Sequence, residues 1–198
     1  MKLKVIISYF KKFISLHFPE QIWIITHLFK ASEAYKISEL VLKIANDHIS
    51  DPVLDGDYSG GMVDAFRHCL WMAMLTRRFG AKFARSLGKV HEKSNYIDYK
   101  KRLLEEDKLP DFPATKMDLL NNEVGIYIGK KYMKLSDDEL IAKVKDFVLN
   151  GYCWKIKKDE NGNYLNIYNE IIDKREWEGK WFTPKVLVPS DFKVFSLK

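Results

Sequence analysis

Asp64-Ala65-Phe66-Arg67-His68-Cys69-Leu70-Trp71 is the stretch on which the reading of this chain turns. On an α-helix Asp64 and His68 share one face at i,i+4, with Arg67 beside them, while Phe66, Leu70 and Ala73 cover another. A helix over residues 62–79, stopped by Gly80, therefore carries a polar stripe and an apolar stripe together. Downstream, Met117-Asp118-Leu119-Leu120-Asn121-Asn122 repeats the arrangement: Asp118 and Asn122 lie one turn apart, and Gly125 and Gly129 continue the stripe. A helical glycine costs about 1 kcal/mol relative to Ala, so this pair predicts a face pressed closely against another helix. His91-Glu92, at the end of a helix expected over residues 82–91, supplies a third polar pair. The pattern predicts three helices aiming side chains at one point.

Outward from this centre, the chain reads as mainly α, a multi-helix, bundle-like domain with a C-terminal β-hairpin and an extended tail. Helices are expected over residues 2–16, 22–29 and 32–47. The turn-rich loop over residues 50–61 precedes Asp64 and forms a rim for the site. Residues 92–114 are highly charged, contain Pro110 and Pro113, and read as partly irregular. A helix then opens at Thr115 or Lys116, and Ser136-Asp137-Asp138-Glu139 is a capping box for another that ends near Asn150. Beyond Gly151 the period changes. Tyr152–Ile156 and Tyr164–Tyr168 flank Asn161-Gly162, a hairpin signal.

A chain of 198 residues, 46% apolar and 14% aromatic, has the material for a real core, which excludes disorder and reads as one domain over residues 1–198. The motif-bearing helices occupy about 62–150, the hairpin and tail 151–198. Lys and Arg exceed Asp and Glu by 33 to 27, a net charge of +6, which favours a small anionic substrate or an anionic surface. A nucleic-acid partner would rest on net charge alone and is not expected. The cluster Arg77, Arg78, Lys82, Arg85, Lys89 and Lys93 reads as a solvated helix face. The two cysteines, Cys69 and Cys153, exclude a disulfide framework or a Cys-rich zinc site; they read as buried thiols, with a pairing between them left open.

Met1-Lys2-Leu3-Lys4 begins like a signal peptide, but Lys11-Lys12 interrupts the apolar run and no small-residue cleavage site follows. No stretch reaches the apolar length of about 18 to 20 residues that a spanning helix needs. The cytoplasm is the default expectation. Val5, Ile6, Tyr9, Phe10, Phe13 and Ile14 make an amphipathic stripe that either packs on the domain or lies on an anionic membrane surface.

The chemistry of the polar set is that of a metal site or of general acid–base catalysis. Two imidazoles and two carboxylates, from His68, His91, Glu92 and Asp118, suit a divalent cation such as Zn²⁺, Mn²⁺ or Fe²⁺. Arg67 would grip a phosphate or carboxylate, and Asn121 and Asn122 would orient ligands or substrate. Without a metal, His68 acts as general base oriented by Asp64 or Asp118. The competing expectation is architectural: the same Asp, Arg, His and Asn side chains form a buried network that fixes how the helices cross. His17, His27 and His48 read as structural, and Phe66, Trp71, Met72 and Met74 as core.

The combination Asp64-Ala65-x-Arg67-His68-x-x-Trp71, His91-Glu92 and Met117-Asp118-x-x-Asn121-Asn122-x-x-Gly125 resembles an uncharacterised bacterial domain family found in secreted, cell-wall-associated and toxin-like proteins. The resemblance spans about residues 62–129 and carries no activity with it. The order His68, His91-Glu92, Asp118 is also similar to that of the HD-type metal-dependent phosphohydrolases, with Glu92 where that superfamily has Asp. This second similarity implies a metal held by those four residues. The expectation is a hydrolase of a phosphoester or other anionic substrate, possible metal assistance included, with a non-enzymatic toxin-like or envelope-associated module as the alternative.

Overall fold

Val63, Phe66, Leu70, Met72 and Leu75 are all fully buried although they point to every side of one helix. A helix that is apolar all round belongs in the middle of a fold, and helix α3 (Met62–Phe79) lies there in the computed structural model, which describes residues 12–104 and 108–193. Before it come α1 (Phe18–Thr26) and α2 (Leu28–Asp47); after it come α4 (Ala81–Lys101), α5 (Phe112–Lys131) and α6 (Asp137–Leu149). The chain ends with β1 (Trp154–Ile156), the single turn α7 (Lys174–Trp177) and β2 (Leu187–Pro189). Helix α3 packs on α2, α4, α5 and α6 and touches β1. The architecture is thus mainly helical with a small antiparallel pair near the C-terminus, as expected.

The boundaries follow local chemistry. Gly80, at φ 89°, breaks α3 from α4 in a conformation that side chains with a Cβ rarely adopt. Ser136 caps α6 by accepting from the Glu139 N–H while the Glu139 carboxylate accepts from the Ser136 N–H, completing the box read from the sequence. Asp111 accepts from the Ala114 N–H and caps α5, and Pro113 sits in its first turn, where a missing N–H costs nothing. Helix α5 therefore starts earlier than Thr115. The break between the first two helices falls at His27 rather than beyond Phe29.

Two further differences have physical causes. The charged segment after His91 is partly irregular, as expected, but only beyond Lys101: α4 continues to that residue, with α1 packed along it. The His17 ring sits 2.6 Å from Asp98, and the Trp23 indole N–H donates to Ser86. The Asn161-Gly162 turn forms and is closed by a single bridge between Lys158 and Tyr164, but the ladder partner of Trp154–Ile156 is Leu187–Pro189. The strand following the turn pairs onward with Ile171, so the tail supplies the pairing edge. The expected helix over residues 2–16 lies largely outside the described residues. Among the described residues no helix is long and apolar enough to cross a membrane.

The glycine stripe does what its cost implied. A Cβ on Gly129 would stand 2.6 Å from the Ala73 carbonyl oxygen, and one on Gly125 would stand 2.9 Å from the Cys69 carbonyl carbon. Helices α3 and α5 are therefore in backbone contact, which brings residues 64, 68, 118 and 122 to within side-chain reach.

Candidate metal centre

Asp64 occupies the first turn of α3, where exposed backbone N–H groups favour a carboxylate. The preceding loop fixes it. Asp55 accepts from the Met62 N–H, closing the start of the helix, and the Gly60 N–H donates to Asp64 Oδ2 at 2.7 Å. Gly60 is held in turn by Ile156, whose N–H donates to the Gly60 carbonyl. The loop is thus a rim, as expected, and β1 anchors it.

One turn along α3, His68 Nε2 lies 3.5 Å from Asp64 Oδ1 and 3.4 Å from Asp118 Oδ1 of α5. All three side chains are buried, at 5%, 3% and 8% exposure for Asp64, His68 and Asp118. Their ligand atoms lie within 4.8 Å of one another, and this buried group could hold a metal ion. On the far side of the ring, His68 Nδ1 is 3.2 Å from Asn122 Oδ1. Burial, then the Arg67 charge, push the His68 imidazole down to about 3, so the ring is neutral. With Nδ1–H donated to Asn122, Nε2 presents a lone pair to the two carboxylates.

Arg67 Nη2 donates to Asp64 Oδ1 at 2.5 Å, and its guanidinium stacks over Tyr58. Burial alone would raise the Asp64 carboxyl; Arg67, His68 and the Gly60 N–H outweigh it and hold the group below the usual carboxylate range.

Of the expected residues, Asp64, Arg67, His68, Asp118 and Asn122 are brought together. His91, Glu92 and Asn121 are not. The His91 ring centroid is 6.4 Å from that of His68 and edge-on to Trp71, and His91 is outside the ligand group. Glu92 accepts from Asn95 on its own helix and is outside the ligand group. Of the expected ligands His68, His91, Glu92 and Asp118, the group that could hold a metal ion contains His68 and Asp118, with Asp64 as its third member. Asn121 is engaged elsewhere: its Nδ2 donates to the Trp154 carbonyl at 2.9 Å and its Oδ1 accepts from the Trp154 N–H at 2.8 Å. It clips α5 to β1 as a neighbouring strand would.

Two cavities share the wall made by Arg67 and His68. One, of about 50 Å³, is polar and is bordered by Asp64, Asp118, Lys108, Asp111, Tyr164 and Lys185. A water needs on the order of 10 to 15 Å³ on this measure, so the cleft has room for a few waters or one tetrahedral group. Lys185 pairs with Asp111 at 2.6 Å and lies 3.8 Å above the Tyr164 ring. These three residues were missed in the sequence because they border the cleft from a helix cap and from the tail; the Asp111-Phe112-Pro113 cap signal was the one available clue. The second cavity, about 260 Å³, is predominantly apolar and reaches Arg67, His68, Trp71 and His91 from the side of α1 and α2. Burial and then Arg67 push the His91 ring down to about 4.

Other histidines and basic residues contact neighbouring side chains. His27 stacks on Trp23 and His48 on Phe66. In the basic cluster, Arg77, Arg78 and Arg85 pair with Asp137, Glu33 and Glu123 on neighbouring helices or their starts. Cys69 and Cys153 are free, buried thiols with sulfurs 3.2 Å apart.

The chain belongs to the family described as "Domain of unknown function (DUF6973)", which matches residues 21–151. That span contains Asp64, Arg67, His68, Asp118 and Asn122, and leaves out Tyr164 and Lys185 of the cleft. No solved structure matches the chain.

Proposed function

We propose that this chain is a metal-assisted hydrolase of an anionic ester, of the phosphoester class, with Asp64, His68 and Asp118 as the ligands of one divalent cation. The observation that carries the reading is the spacing at Nε2. Charge-assisted hydrogen bonds between imidazole and carboxylate run about 2.7 to 2.9 Å, and the separations of 3.5 and 3.4 Å exceed that range. Two ligands about 2.1 Å from a metal and a tetrahedral angle apart stand about 3.4 Å from each other. The spacing supports a ligand set over an Asp–His hydrogen-bonded dyad.

One imidazole and two carboxylates suit Zn²⁺, Mn²⁺ or Fe²⁺. Three protein ligands leave room for a water, which such an ion acidifies toward neutrality. The two aspartates balance the ion's two charges, so Arg67 remains as a net positive group beside the cleft. Arg67 and Lys185 would hold the anionic group, while Asn122 keeps the His68 ring turned with Nε2 inward. In the reaction the water oxygen bonds to the ester phosphorus, the bond to the leaving oxygen breaks, one water proton departs and the leaving oxygen takes up a proton.

The test is metal content of purified protein together with hydrolysis of p-nitrophenyl phosphate in the presence of Mn²⁺, Zn²⁺ or a chelator. The expected result is bound metal near one per chain, chelator-sensitive turnover, and a loss of about a hundredfold or more in Asp118→Asn, with Glu92→Gln close to wild type. Absence of metal binding, or turnover retained in Asp118→Asn, overturns the proposal; absence of metal with the fold destabilised by Asp118→Asn assigns the network an architectural role instead.

A further inference from the structure

The larger of the two cavities is lined mostly by apolar side chains, Trp23, Ile24, Ala34, Val41, Leu42 and Leu87 among them, and its wall also includes Glu20, Arg67, His68 and His91. An apolar chamber beside His68 is unneeded for a small hydrophilic phosphoester. We propose that this cavity binds the hydrocarbon chain of an anionic amphiphile whose head group lies at Arg67 and His68. The identity of the bond then cleaved rests on the hydrolytic reading above; the binding of the chain does not.

Three observations support the occupant. First, the size fits: an apolar cavity of about 150 Å³ already accepts benzene, and this one is about 260 Å³. Second, it adjoins the polar cleft. The apolar chamber and the polar cleft have Arg67 and His68 in common, so a molecule spanning both would be apolar at one end and anionic at the other. Third, α1 is apolar on two sides. Its inner face supplies Trp23 and Ile24 to the chamber, while Phe18, Ile22 and Ile25 remain 71%, 44% and 53% exposed on the outside, with Phe29 fully exposed at the start of α2. Phe18, Ile22 and Ile25 share one face of α1 at i, i+4 and i+7, and Phe29 follows just beyond the break at His27. An exposed apolar stripe beside an apolar chamber is the surface expected where a ligand is drawn from a lipid aggregate.

The test uses the full chain and the intrinsic fluorescence of Trp23 and Trp71, both in the cavity wall. Dodecanoate and dodecyl phosphate, each below its micelle concentration, are expected to shift or quench that emission saturably, whereas acetate and inorganic phosphate are not. Filling the chamber with Ala34→Phe is expected to weaken binding about tenfold or more; if that variant does not fold, Ala31→Leu is the substitute, with thermal unfolding as the check. Glu123→Gln is expected to bind the dodecyl probes as wild type does, because Glu123 borders neither the apolar chamber nor the polar cleft. Hydrolysis absent with binding present removes the catalytic reading and leaves this one standing. No saturable binding by the full chain overturns the inference, as does unchanged affinity in folded Ala34→Phe. A final arm with phosphatidylglycerol vesicles separates the sources: sedimentation with vesicles that is lost in Phe18→Ser/Phe29→Ser points to membrane lipid, and dodecyl binding without sedimentation points to a free amphiphile.

Discussion

Replacing Gly125 by Ala adds one methyl group where α3 and α5 meet backbone to backbone. The new Cβ would lie 2.9 Å from the carbonyl carbon and the Cα of Cys69, with the carbonyl oxygen closer still, against 3.4 Å for ordinary contact. The helices must separate by at least 0.5 Å, since a backbone carbonyl in mid-helix cannot rotate away. Overpacking of this kind costs about 1 to 3 kcal/mol, and the backbone partner puts it at the upper end. Ala restores about 1 kcal/mol of helix propensity, leaving a net loss of about 2 kcal/mol. For a chain of this size Tm moves about 2 to 4 °C per kcal/mol, so calorimetry is expected to show a drop of about 4 to 8 °C. The same retreat moves Asp118 and Asn122 away from His68, and catalytic and metal geometries tolerate only about 0.5 Å. Metal affinity should therefore fall with stability. Gly129→Ala meets the Ala73 carbonyl at 2.6 Å and should cost similar stability, but it lies eleven residues beyond Asp118, about 16 Å along the helix, and should weaken metal binding less. A Gly125→Ala protein as stable as wild type, or more stable by the propensity gain, would show that the two helices are not in contact there.

If Asp64, His68 and Asp118 hold a cation, adding Mn²⁺ or Zn²⁺ at a hundred times its dissociation constant to chelator-treated protein stabilises it by about 2.7 kcal/mol; a thermal-shift titration should show this in wild type and in Glu92→Gln, and a shift persisting in His68→Gln would contradict the ligand set. The depressed His91 ring, at about 4, binds its proton more weakly than in the unfolded chain, where it titrates near 6.5. Its contribution to stability is therefore full above about 6.5 and declines as pH falls toward 4. With the ring partly open to the cavity, urea unfolding at pH 4.5 and 7 should show a decline larger by about 1 to 2 kcal/mol in wild type than in His91→Gln, and equal declines would refute the assignment. Asn121→Ala leaves the buried Trp154 N–H and carbonyl without their amide partner and should cost about 2 to 4 kcal/mol, with metal affinity little changed in protein that remains folded. Cys69, raised well above the ordinary thiol range by burial and by Cys153, should react with a thiol reagent only on unfolding; rapid labelling of the native chain would place it in a more open setting.

The helical frame was legible because its signals are local. Gly80 and the Ser136-x-x-Glu139 box act within one turn of themselves, and the Gly125/Gly129 pair states its purpose through its own cost. What failed to show was set by distant partners. Trp154–Ile156 carries an alternating pattern that fits any antiparallel neighbour, and the pairing went to Leu187–Pro189 because Asn121 and the Gly60 carbonyl fix where β1 lies. Likewise the charged segment after His91 lacks a strong apolar period, yet it continues as helix because His17 and Glu20 of the α1 region hold it at Asp98 and Ser94. Lys185 enters the polar cleft from the tail, a position no spacing rule could assign.

That the group able to hold a metal ion contains Asp64 rather than His91-Glu92 follows from helix packing. Neighbouring helical residues project about 100° apart, and His91 and Glu92 leave α4 in different directions. The packing of α4 decides which direction each takes. A Cβ on Gly88 would touch the Asn122 amide and the Met72 side chain, so the side of α4 around residue 88 faces α3 and α5. Glu92, about 40° from Gly88, is drawn into that interface and meets Asn95; His91, about 60° to the other side, turns toward Trp71 and the apolar chamber. Asp64 differs, because its i,i+4 relation to His68 puts both on one face of the same helix. The close approach that Gly125 permits then brings the second carboxylate, Asp118, from across the helix pair.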